Sequence, residues 1–169
     1  MTVMKRILAI GYFIRSFRAQ MRFGELSRAP LKLLRLQVQE DVAECDWLAR
    51  SADPWDADFP GEVGEQHVSE QALQDAIAIR ELLFRTLPGV DTAVLRIFRQ
   101  SDRGDSELII TGMIARDNQA PRYFHSLAMR AKLLGLQFWL ENGILMVLCP
   151  EFLGLNSAQR GTTRLEVGT

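Results

Sequence analysis

LQFWLENGILMVLC, residues 136–149, sets Asn142-Gly143 between two apolar runs. Asn-Gly supplies the positive φ angles of a type I′ turn, whose twist matches that of the strands it joins. Leu136 to Glu141 and Ile144 to Cys149 are therefore predicted to pair as antiparallel strands. This puts the C-terminal half on a period of two and makes the chain α+β. No motif of comparable strength speaks to chemistry.

Working outward, the rest of the chain reads as one domain's worth of alternating elements. A length of 169 residues, with 47% hydrophobic and 24% charged side chains, suits an ordinary globular domain. Residues 31–50 fit a hairpin turning near Glu40-Asp41, because apolar and polar residues alternate on both arms; a helical stripe over the same stretch is interrupted by Asp41. Residues 51–66 read as a loop punctuated by Pro54, Pro60, Gly61 and Gly64. Residues 68–87 form the clearest helix, with Ser69 as its cap and Pro88-Gly89 as its stop. Strands follow at 92–100 and 107–116. A second helix is predicted over 121–134, with Pro121 in its first turn, Gly135 just past its end, and Tyr123 and Phe124 facing inward.

The predicted order is β-β-α-β-β-α-β-β, a mostly antiparallel sheet with two helices on one face. Without its first and last strands this resembles the split βαβ core of ferredoxin-like folds. The resemblance lies in element order alone, and that architecture hosts many unrelated functions.

Charge is uneven although the net value is only −1. Residues 1–36 carry +7, residues 37–75 carry −10, and the remainder +2. Three regions are expected: a basic amphipathic arm over 1–28, a single α+β domain over 29–150, and a flexible tail over 151–169. In the arm, Ile7 to Ile14 falls well short of the roughly 20 apolar residues a membrane span requires. Arg15 and Arg18 stand where a signal peptide would need small residues. Ile7, Ile10, Ile14, Phe17 and Met21 fall at helical spacing. Such a helix either packs on its own domain or lies on an anionic membrane or partner groove through residues 1–22. Met21 also offers an in-frame alternative start.

The sheet itself raises a question of covering. Leu108, Ile110 and Ile114 alternate with Ile109, Thr111 and Met113, so both faces of that strand read as apolar. Across the Asn-Gly hairpin, Trp139 opposes Met146 on the side away from the helices. An apolar second face needs a cover: the arm, a second copy of the chain, or a ligand.

Candidate chemistry is sparse. Asp53, Asp56 and Asp58 are weak candidates for holding a hard cation, but their spacing is not that of an EF-hand. His67 and His125 share no metal-ligand spacing, and Cys45 and Cys149 are too distant for a zinc or disulfide framework. Free thiols point to a reducing, cytoplasmic setting. Arg80 projects into the apolar face of the first helix. Its head either snorkels to the edge or finds Glu44, Asp46 or an anion. No cofactor and no catalytic residue is assigned, and a pI of about 6.1 with no basic aromatic strand disfavours nucleic acid.

The leading expectation is a non-enzymatic α+β binding or assembly module, meeting a protein partner or a second copy. It would act through the sheet face (Trp139, Met146) or the acidic loop bearing Trp55 and Phe59. A rival is a small-molecule-binding domain or enzyme with a pocket lined by Trp47, Trp55 and Arg80. A third is a peripheral membrane protein held by the basic arm.

Overall fold

Two hairpins, joined by a long helix that crosses between them, build the sheet. The structure is a computed structural model and describes residues 2–120, 123 and 125–149. Helix α1 (Val3–Gln20) precedes the hairpin β1 (Lys32–Gln39) and β2 (Val42–Leu48). A short 3-10 turn (Pro54–Asp58) leads into α2 (Gly61–Thr86), then β3 (Thr92–Gln100) and β4 (Ser106–Ala115). Helix α3 (Leu127–Leu133), β5 (Leu136–Gln137) and a separate two-stranded ladder, β6 (Leu140–Glu141) with β7 (Ile144–Leu145), complete the described chain.

The ferredoxin-like order is corrected by this topology. A split βαβ places another strand between its parallel pair, whereas here β2 and β3 are hydrogen-bonded neighbours from Val42↔Thr92 to Leu48↔Phe98. The sheet runs β1-β2-β3-β4-β5 and is mixed. The physical reason lies in the inward residues. Ala43, Cys45 and Trp47 on β2 register with Ala93, Leu95 and Ile97 on β3, and all six are fully buried. Two strands so apolar on one face belong side by side at the centre of the sheet, where a crossover helix covers them.

The element order also begins with a helix, because α1 belongs to the core rather than standing apart from it. Phe13 and Phe17 are buried 5.8 Å apart, centroid to centroid, in the same apolar cluster as α2 and the inward sheet residues. An Arg6 nitrogen donates to the Glu40 carbonyl at 3.1 Å, tying α1 to the β1–β2 turn. That turn is the one predicted, with Glu40 at φ 51°.

Other boundaries move for local reasons. Helix α2 begins at Gly61 rather than Val68, with Pro60 at its N-cap position (φ −52°, ψ 140°) and Glu62 in its first turn. Ser69 is consequently not a cap. It lies buried within α2, and its Oγ accepts from the Leu145 N–H at 2.8 Å, fastening the C-terminal hairpin to the helix. Helix α3 begins at Leu127 rather than near 121, and Ser126 caps it, its Oγ accepting from Met129 N–H at 3.3 Å. Tyr123 is 88% exposed rather than inward-facing. Pro121 and Phe124, and the tail expected over 151–169, lie outside the described residues. Asn142 and Gly143 take φ 51° and 78°, as a type I′ turn requires, with Leu140↔Leu145 and Glu141↔Ile144 in register.

One buried ion pair organises the passage from α1 to β1. Arg50 Nε donates to Asp75 at 2.8 Å, and its other nitrogens donate to the carbonyls of Met21 (2.7 Å) and Ala29 (2.9 Å). Gln71 donates to Asp75 at 3.0 Å and accepts from the Leu26 N–H at 2.7 Å. Burial pushes the Asp75 carboxyl above the ordinary range, while the hydrogen bond and charge of Arg50 pull it back. Removing one member of such a pair strands the other's charge inside the protein. Asp75→Ala is therefore expected to lower stability by about 3–5 kcal/mol, read as a shift in the urea midpoint. An unchanged midpoint would show that the pair does not anchor the linker.

Candidate functional site

The face of the sheet opposite the core is built from alternate residues of β1 to β4, and its centre is polar. Arg35 pairs with Glu44 at 3.0 Å; Arg96 pairs with Glu44 at 2.8 Å and with Asp46 at 2.7 Å. These hydrogen-bonded partners hold the Arg96 guanidinium above its ordinary pKa against the opposing effect of partial burial. The expectation of a wholly apolar second face is thereby corrected. Three strands place charges of opposite sign opposite one another, and such a lattice is content in water. Apolar side chains on β4 and beyond remain open, with Met113 at 72% and Trp139 at 44% exposure. The arm does not lie over this face; it packs with α2.

The acidic loop presents its aromatics outward. Trp55 is 75% and Phe59 55% exposed, at either end of the 3-10 turn. Two of its three aspartates have local work. Asp53 accepts from the N–H groups of Trp55 (3.4 Å) and Arg28 (3.3 Å), and Asp56 meets His67 Nδ1 at 3.2 Å. Among the described residues no group of three His, Cys, Asp or Glu is placed to hold a metal ion.

The residues assigned to a sheet-and-loop pocket do not converge. Trp47 is fully buried on the inward side of β2, Trp55 is in solvent, and Arg80 opens on a cavity lined by neither. Arg80 does not reach Glu44 or Asp46, which are engaged by Arg35 and Arg96. Its Nη2 donates instead to the carbonyls of Arg116 (3.3 Å) and Asn118. Arg116 in turn donates to the carbonyls of Phe84 (2.8 Å) and Leu87 (2.7 Å), closing the C-terminal end of α2. Both guanidiniums stand over the Phe84 ring, at 5.2 and 4.9 Å from its centroid. Desolvation lowers the Arg80 pKa, Glu81 raises it and Arg116 lowers it again. Neither Arg116 nor Arg130, which lines the same cavity as Arg80, carries a sequence signal, because their neighbours come from distant parts of the chain.

Among the described residues, the largest run of exposed apolar side chains lies on α1. Val3, Met4, Ile7, Leu8 and Tyr12 are 54–75% exposed, although the opposite side of the helix is buried. At about 100° per residue, Met4, Ile7, Leu8 and Gly11 share one outward stripe, which Arg15 and Arg18 continue toward the C-terminus. The first 24 residues contain five basic side chains and no acidic one. Among the described residues no helix is long and apolar enough to cross a membrane.

Compared with known proteins, the chain matches no family model, no curated sequence and no solved structure.

The two cysteines occupy opposite environments. Cys45 is fully buried, and burial, with Asp46 beside it, pushes its thiol up, whereas Cys149 is exposed. The thiolate is the reactive form. An aromatic disulfide reagent is expected to titrate one thiol per folded chain, Cys149, and the second only after denaturation. Two fast-reacting thiols in the native protein would contradict the placement of β2.

Proposed function

We propose that this chain is a peripheral protein that settles on anionic lipid surfaces through the outward side of α1. The observation carrying the reading is the exposed stripe of Met4, Ile7 and Leu8, continued by Arg15 and Arg18 on a helix free of acids. An interfacial helix buries its apolar side at the level of the headgroups and sets cations among the phosphates. Each Lys or Arg near a negatively charged leaflet adds about 1 kcal/mol. The inner side of the same helix is held by Phe13 and Phe17, so the domain would travel with its anchor. Two unpaired cysteines suit a reducing compartment, which makes the cytoplasmic leaflet the natural surface.

A second reading, a protein-binding module, has one observation behind it: the paired exposure of Trp55 and Phe59 among acids. Aromatic anchors of this kind dominate interface energetics when covered. It places the contact on a different surface and does not compete with the first.

Vesicle co-sedimentation separates them. The full chain is expected to bind vesicles of phosphatidylserine mixed with phosphatidylcholine and to release them as salt rises, leaving pure phosphatidylcholine unbound. Replacing Arg15 and Arg18 by Gln should weaken binding roughly 30-fold, at about 1 kcal/mol for each lost charge. Leu8→Asp should abolish it without changing the melting temperature, since Leu8 is exposed. Equal binding by wild type and Leu8→Asp would sink the reading.

A further inference from the structure

Strand β1 is an open edge of the sheet. Its one strand neighbour is β2, and among the described residues no hydrogen bond reaches the backbone of Lys32–Gln39 from any other segment. The opposite edge is taken: β5 pairs with Thr111 and Gly112 of β4, and the Leu148 N–H donates to the Leu108 carbonyl at 2.8 Å. Alternate residues of an antiparallel strand turn their N–H and C=O groups toward and away from a given neighbour. Strand β1 therefore holds a row of backbone donors and acceptors away from β2, a template for a further strand. Two features bound it. The register on β2 shifts between Leu33 and Arg35, and the chain turns at Glu40, whose φ is 51°. Between them Arg35–Gln39 runs in unbroken register with Val42–Asp46.

We propose that this segment pairs antiparallel with the same segment of a second copy of the chain, centred on Gln37. A contact between identical patches must be complementary to itself. In this register it is. Leu36 meets Val38 of the second copy, twice over, on the core side of the sheet, where both side chains are half-buried against their own domain. On the outer side Gln37 meets itself as a neutral amide, and Arg35 meets Gln39. No like charges stand opposite one another, whereas a parallel arrangement would set Arg35 against Arg35. The antiparallel direction also runs the basic beginning of each strand, Lys32 and Arg35, toward the acidic Glu40-Asp41 turn of the other. Pairing of this kind has its two-fold axis perpendicular to the sheet. Both α1 helices then lie on the same face, and the dimer carries two lipid anchors in place of one. That consequence rests on the lipid reading; the pairing itself needs no lipid.

The test is sedimentation velocity of the full chain, without lipid, across the micromolar range. Five residues a side make a small interface, so a reversible monomer–dimer equilibrium is expected. Gln39→Arg sets like charges against Arg35 at two symmetric places and should weaken the dimer roughly 2- to 30-fold. Gln39→Glu should tighten it by a similar factor. Gln39 is exposed, so both variants should keep the wild-type melting temperature. Register is read by cross-linking in a Cys149→Ser background, where the remaining Cys45 is buried. Gln37→Cys puts two thiols on the dyad, within reach of a short bis-maleimide. Gln39→Cys puts them four residues apart, about 14 Å along the strands, and should not cross-link. A chain that stays monomeric overturns the proposal and leaves the edge to an extended peptide. A dimer indifferent to both Gln39 substitutions overturns it too, as does a cross-link through Gln39→Cys in preference to Gln37→Cys. Loss of the dimer in Leu8→Asp would place the contact on α1 instead. Vesicle binding is measured separately, so either reading can fail alone.

Discussion

Arg50 and Asp75 form the contact on which the rest of the structure depends. The guanidinium comes from the end of β2, the carboxylate from the middle of α2, and the carbonyls of Met21 and Ala29 come from the passage that joins α1 to the sheet. Three parts of the chain that share no local sequence logic thus meet at one side chain. Desolvating two charges offsets much of their attraction, so such a pair contributes geometry more than net stability. Here the geometry is what matters. It places α1 beside α2, and that placement decides which side of α1 faces outward. Gln71 shares the arrangement, and Gly24 suits the place where the linker passes it, since a Cβ there would press into the buried Gln71 side chain.

Arginine does most of the polar construction in this fold, and the division of labour separates structure from candidate function. Arg116 closes α2, Arg96 and Arg35 knit the outer sheet face, and Arg99 holds the Leu145 carbonyl at 2.9 Å. Each donates to a carbonyl or carboxylate from another part of the fold. Arg80 and Arg130 each keep a buried Nε without a partner, and Arg15 and Arg18 on α1 face outward. A guanidinium carries five donors in a fixed fork.

The outer sheet face shows why a strand's sequence does not state what lies across from it. Leu108 to Ile114 is apolar at nearly every position, and in isolation it asks for a cover on both sides. Its neighbours answer differently. Glu44, Asp46 and Arg96 sit one and two strands away and make the middle of that face polar. A register shift between Ile97 and Phe98 also leaves Ile109 unpaired and buried, which breaks the alternation at the strand's start. Face character is a property of the whole register.

What the residues determined alone are the local elements. The Asn142-Gly143 turn, the Glu40-Asp41 hairpin, strands 92–100 and 107–116 (the latter found one residue earlier, at 106–115), and a long central helix all follow from turn chemistry and periodicity, which act over a few neighbouring residues. The starts of α2 and α3 lie elsewhere than periodicity places them, at Gly61 and Leu127, because turn and capping signals near a helix start compete with one another over a few residues. What the tertiary structure decided is everything that needs two distant segments at once. The parallel pairing of β2 with β3, the seating of α1 against α2, the buried Arg50–Asp75 pair and the placement of Arg80 and Arg130 on one cavity are all of this kind. Periodicity reports which side of an element is apolar, but only the packed chain settles which other element that side meets, and so which charges are left unpaired.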